Sequence, residues 1–451
     1  MTASSPPACG RFEDRLLDAF LERLENIRGD SGPLADIVPA PTPHRGPIAP
    51  TFLAALAVAG LAAALTLQFA PGPAGTAPGP RWTLAGYVVS PWEHVAGRGL
   101  AVSGPDHQAL TCPSVTTCYV EGPAEAGRGT EVEATYDTGR TWQLAGLKGA
   151  SALSNVSCSS PRDCAVLEVR VDNEPLFVET TDGGTTWLAH PAPSFLSASP
   201  LDATSDGASP GQTEVMTVMS CRGASSCGVL AWSGTAQSYK PSGRGTASVT
   251  SDGGRTWSSP VPAFRASWEL RCLAGGKCLA AGPWGAAYST DSGLRWTISA
   301  GWPTGAASYF SCATQARCTA LSLSPGAGAE SLLVSSDAGE SWSFLRGAKL
   351  PTGALYTSLA CPTSSDCWVS GESIEGQSAG EGVVLSSADG GRTWGTSLLP
   401  QGTGIVYAVS CPEQSTCFAV AGTSPTASSP TASPPLVHLA HLEDDSRDAA
   451  S

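Results

Sequence analysis

The chain of 451 residues is long enough for two or three average domains or one large repeat domain; only 14% of it is charged, and the net charge is −14. That balance argues against nucleic acid as a partner, because phosphate binding draws on basic surface. The 51 Gly and 36 Pro fit a turn-rich β-fold and the 13 Trp a packed core, while four Lys beside 21 Arg, with abundant Ala and Gly, point to a high-GC bacterial source such as an actinobacterium.

Residues 1–47 read as a cytoplasmic segment. Within it "RFEDRLLDAFLERLENIR" (11–28) places Leu17, Phe20, Leu24 and Ile27 at alternating steps of three and four, the pattern of an amphipathic helix. Such a helix either self-associates, lies on a membrane or docks a cytoplasmic protein partner. Residues 29–47 are a Pro-rich linker. Between Arg45 and Arg81 there is no formal charge, and "IAPTFLAALAVAGLAAALTLQFA" (48–70) is apolar over a length that spans a bilayer as one helix. An uncleaved signal anchor is the expectation, with a cleaved signal peptide as the rival. A Pro/Gly linker (71–80) follows.

Beyond it lie fourteen of the fifteen cysteines, in seven pairs of identical C-x5-C spacing: Cys112/Cys118, Cys158/Cys164, Cys221/Cys227, Cys272/Cys278, Cys312/Cys318, Cys361/Cys367 and Cys411/Cys417. Even pairing at fixed spacing predicts disulfides and an oxidising compartment. Zinc ligation, the rival, prefers shorter spacings and four ligands together. The paired side of the span is therefore expected outside the cell, with lone Cys9 inside.

Successive first cysteines are 46, 63, 51, 40, 49 and 50 residues apart, a period near that of propeller arrays. Each unit reads as a strand ending at the first Cys, a turn pinned by the disulfide, a strand from the second Cys, a third strand, and a turn followed by Trp; four short strands make one blade. The last turn recurs six times: "TYDTGRTW" (135), "TTDGGTTW" (180), "TSDGGRTW" (250), "STDSGLRW" (289), "SSDAGESW" (335) and "SADGGRTW" (387). Asp137, Asp182, Asp252, Asp291, Asp337 and Asp389 are suited to accept backbone N–H bonds within their own turns, the Gly to supply positive φ, and the Trp to bury a large ring at the start of the fourth strand. These are structural roles, not catalytic or metal-binding ones.

The S/T-x-D-x-G-x-x-W pattern resembles the Asp-box, or BNR, repeat of sialidases, sortilin-type receptors and photosystem II assembly factors. The resemblance implies an all-β propeller over residues ~82–422 and leaves function open, because that superfamily mixes enzymes with binding scaffolds. Seven cysteine pairs against six boxes suggest a seven-bladed ring occupying 81–440, its last blade closed by "RWTLAGYVV" (81–89) and "PPLVHLA" (434–440), with 441–451 a disordered acidic tail.

Alternating strand direction puts the disulfide turns and Asp turns on one face. Ligand binding is expected on the other, where loops vary in length. Trp232, Tyr239, Trp284 and Trp302 are the ligand-binding candidates, able to stack on sugar rings or anchor a protein; packing between blades is the plainer reading of each. Glu121, Glu131, Glu168, Glu174, Glu372 and Glu381 lie in or beside these loops, and a pair of them could reach glycosidase spacing. No "RIP" arginine motif of the sialidase kind is present, and the loop arginines Arg98, Arg128, Arg170 and Arg244 have no recognisable setting. No catalytic residue, metal site or cofactor is assigned. The expected function is a membrane-anchored extracytoplasmic binding or scaffold protein for a protein or glycan. The alternatives are a transmembrane sensor acting through 11–28 and a sialidase-like glycoside hydrolase.

Overall fold

The computed structural model describes residues 81–443 except 88–109, 124–129, 146–150, 153–155, 170–173, 198–212, 224, 236–244, 265–268, 283–284, 304–306, 324–330, 349, 375–379 and 424–437. All described residues belong to one compact unit, Pro78–Ser451. The expected helices at 11–28 and 48–70 lie outside the described residues; among the described ones, no helix is long and apolar enough to cross a membrane.

The described strands form seven antiparallel sheets. Six are blades built from consecutive strands. Blade 1 runs Leu110–Thr111, Cys118–Pro123, Thr130–Thr135 and Gln143–Leu144. Blades 2 to 6 follow at 151–191, 213–262, 269–298, 307–344 and 354–396, blade 2 having its first strand in two pieces. The remaining sheet is composite: Thr403–Glu413 and Thr416–Thr423 are continued by His438–Glu443 and finally by Arg81–Tyr87 from the other end of the chain. The expected seven-bladed ring thus resolves into six contiguous blades and one composite sheet. Its third strand reaches Glu443, so the boundary expected at residue 440 falls inside a strand.

All seven C-x5-C pairs are disulfides, with Cα–Cα distances of 4.0–4.1 Å. Where the ladder registers them, as in Cys158↔Cys164 and Cys312↔Cys318, the two cysteines face each other directly across the first hairpin. So close an approach marks a non-hydrogen-bonded pair, whose N–H groups point away from the partner strand.

Two expectations about these cysteines need correction. The first strand does not always end at the first Cys. In blades 1 and 6 it stops one residue short, at Thr111 and Ala360, because Pro113 and Pro362 follow the cysteine and have no N–H to extend the ladder. In the composite sheet the strand passes Pro412 only by a register shift between Ser410 and Glu413. The second correction concerns the second Cys of the pair, which is a core residue and not merely a turn pin. Cys118, Cys278, Cys318, Cys367 and Cys417 are at most 1% exposed, and each lies in a hydrophobic cluster between sheets. Cys367 opens the second strand of blade 6, registers with Ser387 of the third, and packs among Tyr356, Leu359 and Leu385. The cause is position: the second Cys begins the strand that both neighbouring sheets cover. Its sulfur adds apolar packing as well as a covalent link.

Second strands are covered on both faces over most of their length. Cys278–Gly282 is buried at every position, and its small Ala280 and Ala281 suit such tight cover. Fourth strands are mostly two-residue edges, too short to recruit another chain.

Seven hydrophobic clusters lie between neighbouring sheets, each holding the Trp of the later sheet. Trp187 packs between blades 1 and 2, Trp257 between 2 and 3, Trp296 between 3 and 4, Trp342 between 4 and 5, and Trp394 between 5 and 6. Trp142 packs between the composite sheet and blade 1, against Ala408, Phe418 and Val420. Trp82 packs between blade 6 and the composite sheet, against Trp368, Val384, Val406 and Ala419. Backbone bonds repeat the equivalence: Trp342 N donates to Ala300 O at 2.9 Å, and Trp82 N donates to Leu398 O at 2.9 Å, each acceptor four residues beyond the preceding blade's Trp. Trp was expected to begin the fourth strand. Instead the ladder resumes after it, at Gln143 or Thr297 for example, because the Trp belongs to the turn: the indole N–H of Trp142, Trp187 and Trp394 donates to the carbonyl of its own turn Gly.

Candidate functional site

The six Asp turns share one construction. In blade 3, Thr250 Oγ1 donates to Asp252 Oδ1 at 2.8 Å and accepts Gly254 N at 2.9 Å; Asp252 then accepts Thr256 N at 2.9 Å and Thr256 Oγ1 at 2.6 Å. These bonds, the Thr256 hydroxyl first, hold the Asp252 carboxyl down at about 2, and the corresponding Thr186 and Thr393 bonds do the same for Asp182 and Asp389. In these turns each carboxylate accepts from backbone and hydroxyl groups of its own turn; in blade 4 Arg295 stands where the others have a hydroxyl, and Asp291 accepts Arg295 N at 2.8 Å. Gly254 serves twice: its φ is +78°, and a Cβ there would collide with the Phe177 ring of blade 2.

In every blade the residue after the Asp donates its N–H to a carbonyl of the disulfide turn: Thr138 to Thr116, Gly183 to Arg162, Gly253 to Ser225, Ser292 to Gly276, Ala338 to Ala316 and Gly390 to Ser365. The two kinds of turn therefore share one face, as strand alternation predicts, and are bonded into one layer within each blade. That following residue has positive φ even where it is Thr138, Ser292 or Ala338. The rigid layer over-determines a conformation that an L-residue adopts at a cost.

On this face, among the described residues, lies a cavity of about 390 Å³; the variable loops of the opposite face, where a ligand was expected, lie largely outside the described residues. It is walled by first strands of blades 1, 2, 4, 5, 6 and the composite sheet, with Pro113, Pro362, Pro412, Glu413 and Gln414 of the disulfide turns at its rim. The residue before the first cysteine decides its lining. Four of the seven are serines, and each caps the backbone of the next sheet. Ser157 Oγ accepts Cys221 N at 2.8 Å, Ser220 Oγ accepts Cys272 N at 2.8 Å, Ser311 Oγ accepts Cys361 N at 2.9 Å, and Ser410 Oγ accepts Cys112 N at 3.1 Å. Thr111 instead donates to Val156 O at 3.0 Å. The last of these serine bonds joins the composite sheet to blade 1.

Two further positions depart from the pattern. Blade 6 has Ala360, and there Ser358, two residues earlier, accepts Val409 N at 3.3 Å. Blade 4 has Arg271, and there Glu269 Oε2 accepts Phe310 N at 2.8 Å. Glu269 is 8% exposed and its other oxygen lies 3.4 Å from Arg271 Nε, while the Arg271 side chain is 46% exposed. Tyr309 joins this group; burial, and then the Glu269 charge, push its phenol well above the ordinary tyrosine range, so it stays protonated as a donor.

The sequence-predicted candidates are dispersed. Trp232 is 2% exposed within the blade 3–4 cluster, so it offers no stacking surface. Trp302 packs edge-on to Trp342, ring centroids 5.0 Å apart, in the blade 4–5 cluster. Tyr239, Trp284, Arg98, Arg128, Arg170, Arg244 and the Glu131 side chain lie outside the described residues. Glu121 accepts the Val156 N–H and ties blade 1 to blade 2, Glu168 is buried, Glu372 half-buried, and Glu174 and Glu381 exposed. No cluster suited to a metal occurs among the described residues. The lining residues that sequence reasoning passed over carry a visible signal: the position before the first Cys reads Thr, Ser, Ser, Arg, Ser, Ala, Ser along the chain.

No protein-family model and no curated relative matches the chain. Solved structures do. An oligogalacturonate lyase from Vibrio parahaemolyticus is 7% identical with a TM-score of 0.52, over 76% of this chain and 90% of that one. YCF48 bound to D1 peptide is 16% identical with a TM-score of 0.46, over 76% and 96%, and the Hadza microbial sialidase Hz136 is 16% identical with a TM-score of 0.40, over 70% and 73%. At such identities similarity extends to fold alone: this chain is a β-propeller stapled by disulfides.

Proposed function

We propose that the chain is a membrane-anchored extracytoplasmic binding protein whose composite sheet serves as a seventh blade and whose cavity on the disulfide-turn face receives a protein or glycan ligand. The observation that carries the reading is the cavity: six sheets contribute to one concavity lined by hydroxyls, one guanidinium, a phenol and the carboxylates of Glu269 and Glu413, beneath turns that are bonded to each other within each blade. Such a rigid concavity with few convergent polar groups is the common form of a ligand site. The seven disulfides support an oxidising location, and the apolar run 48–70 supports the anchor.

The test is site-specific photo-crosslinking in cells from Gln414, at the rim, with Leu188, on an outer edge strand, as control, together with a glycan array probed by the full chain in detergent. A discrete adduct from Gln414 alone, or array binding that a substitution at Gln414 weakens, supports the reading. Failure of both overturns it. Location is checked by alkylating the unreduced full chain, which should take up one equivalent, at Cys9.

A further inference from the structure

Four of the seven residues before the first cysteines, all serines, accept the next sheet's Cys N–H; Thr111, Ala360 and Arg271 do not, and of these three only Arg271 is charged. Arginine has five donors and no acceptor. It stands where Ser157, Ser220, Ser311 and Ser410 stand in their own sheets, so it presents no acceptor to Cys312 N. By the geometry of the facing Cys312↔Cys318 pair, that N–H points away from its partner strand. Two donors, a guanidinium and a backbone amide, therefore serve the same sector of the cavity. Glu269 lies beside this pair: its Oε2 accepts Phe310 N and its Oε1 lies 3.4 Å from Arg271 Nε. Being gripped at Nε, the guanidinium keeps its two terminal nitrogens for a planar two-oxygen acceptor, the geometry of a bidentate carboxylate.

Apart from the Glu413 carboxylate at the rim, the polar lining matches a hydroxylated ligand. Ser311 and Ser410 use their lone pairs on backbone N–H groups, which leaves each O–H to rotate toward the cavity both residues line. A volume of about 390 Å³ is at the small end of ligand pockets and has room for one or two sugar rings. We infer that Arg271, with the Cys312 N–H beside it, forms the carboxylate-binding end of a sugar-acid site in this cavity, with uronates as the ligand class. This rests on the cavity reading proposed above and narrows it.

Calorimetric titration of the full chain in detergent with D-glucuronate, D-glucose and acetate tests it. Glucuronate is expected to bind more tightly than either comparator. Arg271→Gln should weaken glucuronate by roughly tenfold or more, and Arg271→Lys, which keeps charge but not the fork, by less. Arg255→Gln, at an exposed Asp turn, should leave binding unchanged. An unaltered thermal midpoint and disulfide content for Arg271→Gln would show that the fold is intact. Glucuronate binding indifferent to Arg271→Gln overturns the inference, as does acetate binding as tightly as glucuronate. Equal binding of glucose and glucuronate overturns the anionic site while leaving a glycan cavity in place. No binding of any of the three also overturns it, and the Gln414 crosslink then judges the cavity separately.

Discussion

Blade 5 and the composite sheet perform the same task from opposite covalent circumstances. In blade 5 one continuous stretch supplies four strands, a disulfide, an Asp turn and Trp342. The composite sheet draws its disulfide hairpin from 403–423 and its Trp from residue 82, and nothing like an Asp turn stands before that Trp in sequence. Yet Trp82 fills the same intersheet position and makes the same backbone bond to the preceding blade as Trp342 does. The comparison separates what every sheet has in place beside its neighbour, a buried or half-buried Trp, from what six blades carry and the composite sheet lacks, the Asp turn.

The largest test of that distinction is Trp82→Ala. The side chain is 2% exposed and contacts both blade 6 and the composite sheet, so truncation should cost about 3–5 kcal/mol. Trp342→Ala should cost a similar amount. The difference lies in where protection is lost: with Trp82→Ala, hydrogen exchange should accelerate at Val406 and Ala419, more than three hundred residues away in sequence. A chemical-denaturation change below about 1 kcal/mol for Trp82→Ala would mean the composite sheet does not seal the ring.

Next in size is the disulfide. Replacing both Cys411 and Cys417 by Ser should cost about 2 kcal/mol by loop-closure entropy, and the same change at Cys312 and Cys318 should cost as much, since the loops are of equal length and Cys417 and Cys318 are equally buried. A markedly larger loss at the composite pair, read from urea midpoints, would show that this sheet leans on its disulfide for want of an Asp turn.

Smaller again is Ser410→Ala. It removes the acceptor for Cys112 N, the hydroxyl bond from the composite sheet to blade 1, and should cost about 1 kcal/mol. Ser311→Ala, within the contiguous part of the ring, should match it. Unequal losses would show that the seam is held differently from the other junctions.

Much of this arrangement is legible in the sequence because it is written as repetition. The C-x5-C spacing and the Asp turns recur on a fixed plan, and the register of each hairpin follows from them. Trp82 was readable as a fourth-strand residue because every other Trp of its kind follows a box. What was not legible depends on neighbours rather than on local pattern. Trp232 looks like a loop aromatic, but the second strand of blade 3 extends to Thr235 and carries it into the intersheet cluster. Cys367 looks like half of a turn staple, and only the sheets on either side make it core. The cavity lining is a single position per repeat, hidden beside a conspicuous cysteine, and its meaning appears only when Ser410 meets Cys112 across the whole chain. The positive φ of Ala338 is invisible because Ala does not announce a left-handed turn; the bond from its N–H to Ala316 O imposes it.

The finest test uses acid. The carboxyls of Asp182, Asp252 and Asp389 sit at about 2 in the folded protein against an ordinary value of 3.8, held first by the Thr hydroxyl before each Trp; those of Asp137 and Asp337 are lowered as well. Between these values the unfolded chain binds more protons than the folded one, so stability rises with pH there. The contribution is complete above about pH 4 and is lost as pH falls through about 2. Asp252→Asn, which keeps the Oδ1 acceptor but cannot titrate, should lower the pH 7 midpoint toward its acid value and make the acid limb shallower by the share of this one turn. Because the composite sheet has no such turn, exchange protection at Val406 and Ala419 should follow the acid limb only through their neighbours, later than protection at Thr250 or Ser387. Simultaneous loss at all four positions would instead mean that the ring opens as one unit, and that the Asp turns stabilise the seam as much as the blades that contain them.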